Sequence, residues 1–127
     1  MNKEKYHIEY MLKSVSPAVL WTYIATANGL ADWFADTVTV RGKHFTFTWN
    51  KAPQEANQTA VRYGVFARFQ WTDEEDKKAF FEFRINQVEL TGETVLVITD
   101  FAWPDEKTDA IELWNKQIAS LRRVLGI

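Results

Sequence analysis

At 127 residues, with 25% of them charged and a formal net charge of −2, the sequence predicts one globular domain over residues 1–127 and offers no basic face for nucleic acid. It contains no cysteine, which excludes disulfides, thiolate catalysis and cysteine-ligated metal sites. No stretch is long and apolar enough to span a membrane, and the polar first seven residues carry no apolar leader, so a cytoplasmic location is expected.

The first predicted elements are one strand and two short helices. Apolar and polar residues alternate over residues 6–13, which indicates a half-buried strand. Ser16-Pro17 supplies an N-cap followed by proline at the first helical position, so a helix is expected from there to about residue 26. Asn28-Gly29 is expected to interrupt this helix, and a second short helix is expected over residues 30–35.

From residue 36 onward the apolar residues recur with a period of two, which predicts about six antiparallel strands. Residues 50–57 are the ambiguous segment: their alanines suit a helix, but a loop that runs into a strand is the preferred interpretation. The strand after residue 81 is expected to reach residue 90 and to be followed by a tight turn at Thr91-Gly92-Glu93. Residues 95–101 are apolar on both faces, which favours a position at the centre of the sheet or beneath the helices.

The last element is a long predicted helix over residues 105–125. Asp109 with Glu112 resembles a capping box, and Gly126 is placed as a C′ residue. Such a helix needs a large apolar surface opposite it, so the predicted class is α+β, with a bent antiparallel sheet of six to seven strands around the C-terminal helix and two short helices after the first strand. Its apolar positions alternate in steps of three and four and share one face: Ile111, Trp114, Ile118, Leu121 and Leu125.

Several segments carry a family resemblance: Ser16-Pro17, Leu30-Ala31-Asp32-Trp33-Phe34, Phe45-Thr46-Phe47-Thr48-Trp49 and the terminal helix. With this order of elements, they resemble the helix-grip fold of the START-like (SRPBCC) superfamily over essentially the whole chain. That group includes birch-pollen allergens, polyketide cyclases and homologues of the activator of the 90-kDa heat-shock chaperone ATPase.

A narrower resemblance links the chain to bacterial START-like proteins of unassigned function related to that activator. It rests on Trp33-Phe34-Ala35-Asp36, Ile98-Thr99-Asp100-Phe101 and Leu113-Trp114 leading to Leu125-Gly126. The resemblance implies a cavity between the sheet and the terminal helix that is open to apolar or amphipathic small molecules. It implies no catalytic residue.

The candidate ligand-binding residues are inward-facing aromatic and aliphatic side chains together with one carboxylate. A filled core is the usual meaning of such a set, whereas a sheet that grips a helix can also leave a cavity between them. Asp100 interrupts an apolar strand, so it serves either as a structural hydrogen-bond acceptor or as a polar anchor for a ligand. The set is Trp33, Phe34, Phe47, Trp49, Phe69, Phe83, Asp100, Trp114 and Ile118.

Other chemically active residues give no site. His7 and His44 fall on the polar phase of their strands, and no metal-ligand spacing or nucleophile motif is present. The acidic run over residues 73–76 lacks the order of a calcium loop and is predicted to be a solvated turn. No catalytic residue, metal or cofactor is therefore expected.

Three functions fit this pattern. The first is non-enzymatic binding of a small hydrophobic or amphipathic molecule in the cavity. The second is a protein-interaction role, with a chaperone or as a homodimer, because Phe66 and Phe80 occupy the outer phase of their strands. The third is a cyclase- or dehydratase-type enzyme, which would need an acid or base among inward positions that are almost all apolar. The first is preferred.

Overall fold

In a computed structural model, which describes residues 2–127, seven strands form one antiparallel sheet in the order β1-β7-β6-β5-β4-β3-β2. A 3-10 turn (Pro104–Glu106) precedes the last helix. The elements are β1 (Glu4–Leu12), α1 (Pro17–Ala25), α2 (Ala27–Trp33), β2 (Thr37–Arg41), β3 (His44–Trp49), β4 (Ala52–Arg62), β5 (Phe66–Trp71), β6 (Phe81–Gln87), β7 (Thr94–Ala102) and α3 (Lys107–Leu125).

The long helix α3 packs its apolar stripe against one face of the sheet. Trp114, Ile118 and Leu121 are buried in the same core as the inward phenylalanines, and Trp114 meets Phe83 of β6 edge-to-face at 5.9 Å between ring centroids. β7 lies between β1 and β6, so both of its edges are hydrogen-bonded to neighbouring strands. The predicted α+β helix-grip architecture is confirmed.

The two ends of α3 follow different rules. Gly126 adopts a left-handed conformation (φ 76°) and donates its backbone N–H to the carbonyls of Arg122 and Arg123, which confirms the predicted C-terminal cap. The predicted capping box is wrong, because Asp109 already lies inside the first helical turn. Glu106 occupies the N-cap without a side-chain cap bond, and the preceding 3-10 turn leads the chain into the helix.

The segment over residues 50–57 is mostly strand, so the predicted loop is wrong. β4 begins at Ala52, directly after a two-residue turn in which Asn50 and Lys51 both have positive φ (49° and 68°). Two left-handed residues are the signature of a type I′ hairpin turn, and asparagine adopts that conformation readily. The residues at the start of β4 are exposed, so no apolar alternation marked the strand.

The turn between β6 and β7 is longer than predicted. β6 ends at Gln87 rather than at residue 90. Val88 and Glu93 close the turn with a backbone hydrogen bond of 2.8 Å, and Gly92 donates to the Val88 carbonyl at 2.7 Å.

The break between the two short helices falls at Thr26, so the predicted interruption at Asn28-Gly29 is wrong. Thr26 is extended (φ −108°, ψ 152°), and its hydroxyl caps α2 by accepting the Gly29 N–H at 2.9 Å. Gly29 lies within α2, where the absence of a side chain lets the backbone of α1 approach closely. A Cβ at this position would stand 1.9 Å from the carbonyl oxygen of Thr22.

We therefore expect Gly29→Ala to lower the free energy of unfolding by about 1–3 kcal/mol, because the clash is with backbone and one of the helices must shift. Asn28→Ala is the matched control, since Asn28 is exposed one residue earlier in the same helix. Its effect should stay within about 0.5 kcal/mol. Urea denaturation midpoints measure both variants. Equal midpoints for Gly29→Ala and the parent would show that the α1–α2 contact is looser than described.

Candidate functional site

A pocket of about 410 Å³ lies between α3 and the sheet. It sits at the end of the sheet where β3, β5 and β7 finish and β4 and β6 begin. Half of its lining residues are aromatic, and the full set is Phe34, Trp49, Gln54, Trp71, Phe81, Asp100, Ala110, Leu113, Trp114 and Gln117.

The residues selected from the sequence divide into two groups. Four of them line the pocket, namely Phe34, Trp49, Asp100 and Trp114. The filled-core interpretation describes the other five, which are at most 6% exposed and lie deeper between the sheet and the helices: Trp33, Phe47, Phe69, Phe83 and Ile118.

Six lining residues were not selected from the sequence. Trp71 and Phe81 have the same inward phase as the selected aromatics and, like Trp49, stand at the pocket end of their strands. Gln54 was not selected because the start of β4 was predicted to be a loop. In the structure it pairs with Phe47, which places both residues on the inner face of the sheet. Ala110, Leu113 and Gln117 follow one another on α3 at steps of three and four, so they share one side of the helix near Trp114. The predicted helix was therefore enough to place them beside the pocket.

The C-terminus of α2 connects three elements at the pocket. Trp49 on β3 donates its indole N–H to the Phe34 carbonyl at 2.7 Å, and Gln117 on α3 donates to the same oxygen at 3.2 Å. The Phe34 ring stacks on Trp114 with 5.8 Å between centroids. These contacts hold two pocket walls in fixed positions, which pre-organises the site.

Asp100 is the acidic group of the pocket. One of its oxygens, Oδ2, accepts the Trp114 indole N–H at 2.9 Å and the Tyr6 hydroxyl at 3.3 Å, and Oδ1 accepts the Phe101 N–H at 2.8 Å. Burial raises the pKa of this carboxyl to about 6, although the three donors favour its ionised form and act in the opposite direction. Burial and the Asp100 charge together hold the pKa of Tyr6 far above its usual value.

Comparison with known proteins gives the family. The pattern of the START-like superfamily domain matches residues 1–127. The chain belongs to the START-like superfamily. A protein from Bacteroides fragilis, solved in solution by NMR, is 45% identical to it over 100% of this chain and 94% of its own, with a TM-score of 0.70. The search of curated proteins found no significant match to this START-like chain.

More distant solved structures share the fold alone. The Aha1 dimer from Colwellia psychrerythraea is 18% identical, with a TM-score of 0.80 and coverage of 98% of this chain and 97% of that one. A crystallised Mesorhizobium loti protein is 15% identical, with a TM-score of 0.77 and 97% coverage of both chains. Within residues 2–127 of this START-like protein, no helix is long and apolar enough to cross a membrane.

The outer face of the START-like sheet carries an ion-pair network centred on a buried glutamate. Glu82 is only 4% exposed and accepts hydrogen bonds from Arg68 at 2.9 Å and Arg84 at 3.2 Å. The Arg68 guanidinium lies 4.0 Å from the centre of the Phe80 ring, and the Arg84 guanidinium lies 4.4 Å from the centre of Phe66. Both rings face outward as predicted, but the arginines leave them only half exposed.

The acidic turn after β5 is partly buried. Glu74 has a side chain that is only 7% exposed and pairs with the Lys3 ammonium at 2.7 Å. Asp76 accepts the Lys3 backbone N–H at 3.1 Å. The predicted turn is present and exposes Asp73 and Glu75, but Glu74 and Asp76 are partly buried because they anchor the chain just before β1. Residues 2–127 contain no cluster of potential metal ligands.

Both histidines lie away from the pocket. His7 is exposed on β1. His44 sits on the outer face of β3, where its ring nitrogens contact Glu55 at 2.7 Å and Asn57 at 3.0 Å. The hydrogen bond to Glu55 raises the pKa of His44. Neither ring can act on a molecule in the pocket.

Proposed function

We propose that this START-like protein binds a small hydrophobic or amphipathic molecule, without converting it, in the pocket between α3 and the sheet. The observation that carries the proposal is the pocket itself. Its volume of about 410 Å³ lies within the range of small-molecule sites, and five aromatic rings surround one partly buried carboxyl. Apolar burial supplies affinity at roughly 25 cal/mol per Å², while the few polar groups orient the guest.

The composition of the pocket favours binding over catalysis. Covalent catalysis needs a nucleophile beside a positioned base. Asp100 already accepts three hydrogen bonds, and the other polar lining side chains are the amides of Gln54 and Gln117. The enzymatic alternative, a cyclase or dehydratase, would have to use Asp100 alone as its acid or base.

The outer face supports a second candidate, a protein-interaction role with a chaperone or with another copy of the chain. Phe80 and Phe101 pack at 5.0 Å between centroids on this face and remain partly exposed beside the arginines. A related fold is known as a dimer in the Colwellia protein. Light scattering over a concentration series tests self-association, and a monomer at all concentrations would leave only the chaperone form of this candidate.

The binding proposal is tested by isothermal titration with naphthylethanol, a flat apolar alcohol. We expect saturable binding by the parent protein. Ala110→Phe should weaken it at least about tenfold, because a phenyl ring at this lining position fills space that the guest needs. Ala119→Phe is the matched control, since Ala119 is exposed on the same helix and does not line the pocket. Its affinity should equal that of the parent.

A wider panel completes this test. It contains a fatty acid, an isoprenoid and several flat aromatic compounds, with product analysis on each mixture. If no compound binds saturably, the ligand proposal fails and the interaction role gains. If any compound is turned over by the parent protein and not by Asp100→Asn, the non-enzymatic assignment fails.

A further inference from the structure

We infer that the molecule bound in the pocket carries an ammonium group on an apolar body, with Asp100 as its counter-ion. This inference rests on the proposed binding function and specifies the chemistry of the ligand. Three independent features of the pocket support it: the unused acceptor capacity of Asp100, the absence of a positive charge in the lining, and the indole rings.

Hydrogen bonds hold the Asp100 carboxylate in a fixed orientation but leave it able to accept one more. An ionised carboxylate offers about four lone-pair positions, and three are taken by Tyr6, Trp114 and Phe101. Its Oδ1 atom has only the Phe101 N–H as a partner, so it can accept one more hydrogen bond. The existing donors come from β1, β7 and α3 and fix the carboxylate in place, so binding a guest requires little reorganisation.

The lining supplies no positive charge to a guest. Among residues 2–127, no lysine, arginine or histidine lines the pocket. Lys3 lies in an adjoining groove, where its ammonium is already paired with Glu74 at 2.7 Å. Glu106 and Asp109 line the same groove, which shares Ala110 and Leu113 with the pocket. A carboxylate guest would therefore meet uncompensated like charge, whereas an ammonium guest would meet a counter-charge.

The aromatic walls favour a cation as well. Trp49, Trp71 and Trp114 all line the pocket, and tryptophan binds cations more strongly through its ring than the other aromatic residues do. In the apolar pocket, an indole ring and the Asp100 carboxylate would both attract the ammonium of the guest. A neutral alcohol gains only the hydrogen bond and the apolar contact.

The groups around Asp100 set the pH dependence of this binding. Tyr6 from β1 has a raised pKa and stays protonated at neutral pH, Trp114 from α3 does not titrate, and the charge of Lys3 acts to lower the pKa of Asp100. The Lys107 ammonium lies over the Tyr6 ring, 5.9 Å from the ring centre. Asp100 is thus the group that changes charge between about pH 5 and pH 8, while an alkylammonium, with a pKa of about 10, does not.

The test compares naphthylethylamine, naphthylethanol and naphthylacetic acid by isothermal titration at about pH 5 and about pH 8. At the higher pH, the amine should bind at least about tenfold more tightly than the acid, because one charge-assisted hydrogen bond supplies that factor. The affinity for the amine should fall about tenfold at the lower pH, since Asp100 is then mostly protonated. The affinity for the alcohol should change less than about threefold.

Asp100→Asn should reduce the affinity for the amine to that for the alcohol, whereas Asp109→Asn, in the adjoining groove, should preserve the preference. The inference is overturned if the acid binds as tightly as the amine, or if the amine's preference survives in Asp100→Asn or is independent of pH. In those cases the pocket still binds apolar guests. If none of the three compounds binds the folded parent protein, the proposed function itself fails. If Asp100→Asn does not fold, the pH dependence of amine binding to the parent protein tests the inference by itself.

Discussion

Trp114→Ala should lower the free energy of unfolding by about 3–5 kcal/mol, the range for removing a large aromatic side chain from a core. Trp114 is 6% exposed although it borders the pocket, and its ring contacts Phe34 and Phe83 with centroids 5.8 and 5.9 Å away. The substitution also removes the indole donor from the partly buried Asp100. If the pocket were open enough for the ring to be largely hydrated, the loss would fall well below this range.

Two further variants separate the contributions of the Trp114 ring, its N–H group and the helix to this loss of stability. Trp114→Phe keeps an aromatic ring but removes the N–H that Asp100 accepts, so we expect a smaller loss of about 1–3 kcal/mol. Leu113→Ala controls for the helix itself, because Leu113 is 58% exposed one residue earlier, and its effect should stay below about 1 kcal/mol. Urea denaturation midpoints at neutral pH measure all three. A midpoint for Trp114→Ala equal to that of Leu113→Ala would remove Trp114 from the core.

The second large effect is a fall in stability as the pH rises through the titration of Asp100. The pKa of this carboxyl is raised from its ordinary value of 3.8 to about 6 in the folded protein. Between these two values the folded state binds more protons than the unfolded state does. The stabilisation is therefore fully present below about pH 4 and is lost as the pH rises past 6, by about 3 kcal/mol in total.

Asp100→Asn isolates this contribution. His44, whose pKa is raised, begins to titrate within the same range, so the informative quantity is the parent's free energy of unfolding minus that of the variant. This difference should decrease by about 2 kcal/mol between about pH 4 and pH 7, which is most of the total. The amide leaves one donor of the site poorly matched, which shifts the variant by a constant amount. A difference that does not change with pH would mean that Asp100 titrates normally in the fold.

Local rules in the sequence were sufficient for most of the architecture. The stripe of α3 and the alternation of β3, β5 and β6 come from apolar periodicity, which burial enforces residue by residue. Elements held by other forces were not predictable in the same way. The start of β4 depends on two left-handed residues, Asn50 and Lys51, and the α1–α2 break depends on the close approach of backbones at Gly29.

The pocket itself needed the strand register as well as the strand phase. Phe47 and Trp49 have the same inward phase, yet Phe47 is fully buried and Trp49 borders the pocket, because only the last residues of β3 reach the open end of the sheet. Phase indicates which face a side chain occupies, and only pairing indicates its depth. Gln54 could not be predicted for the same reason, since its inward position follows from its pairing with Phe47.

The most direct test of the central claim, that the pocket between α3 and the sheet binds the ligand, is a proton–nitrogen correlation spectrum during titration with naphthylethanol. The six tryptophans give distinct indole N–H reporters, assigned by single Trp→Phe variants. We expect saturable shifts for the indoles of Trp49, Trp71 and Trp114, and no shift for Trp21, which packs against Tyr63 away from the pocket. Unchanged indole signals at these three positions, with shifts confined to the outer face around Phe80, would contradict the claim.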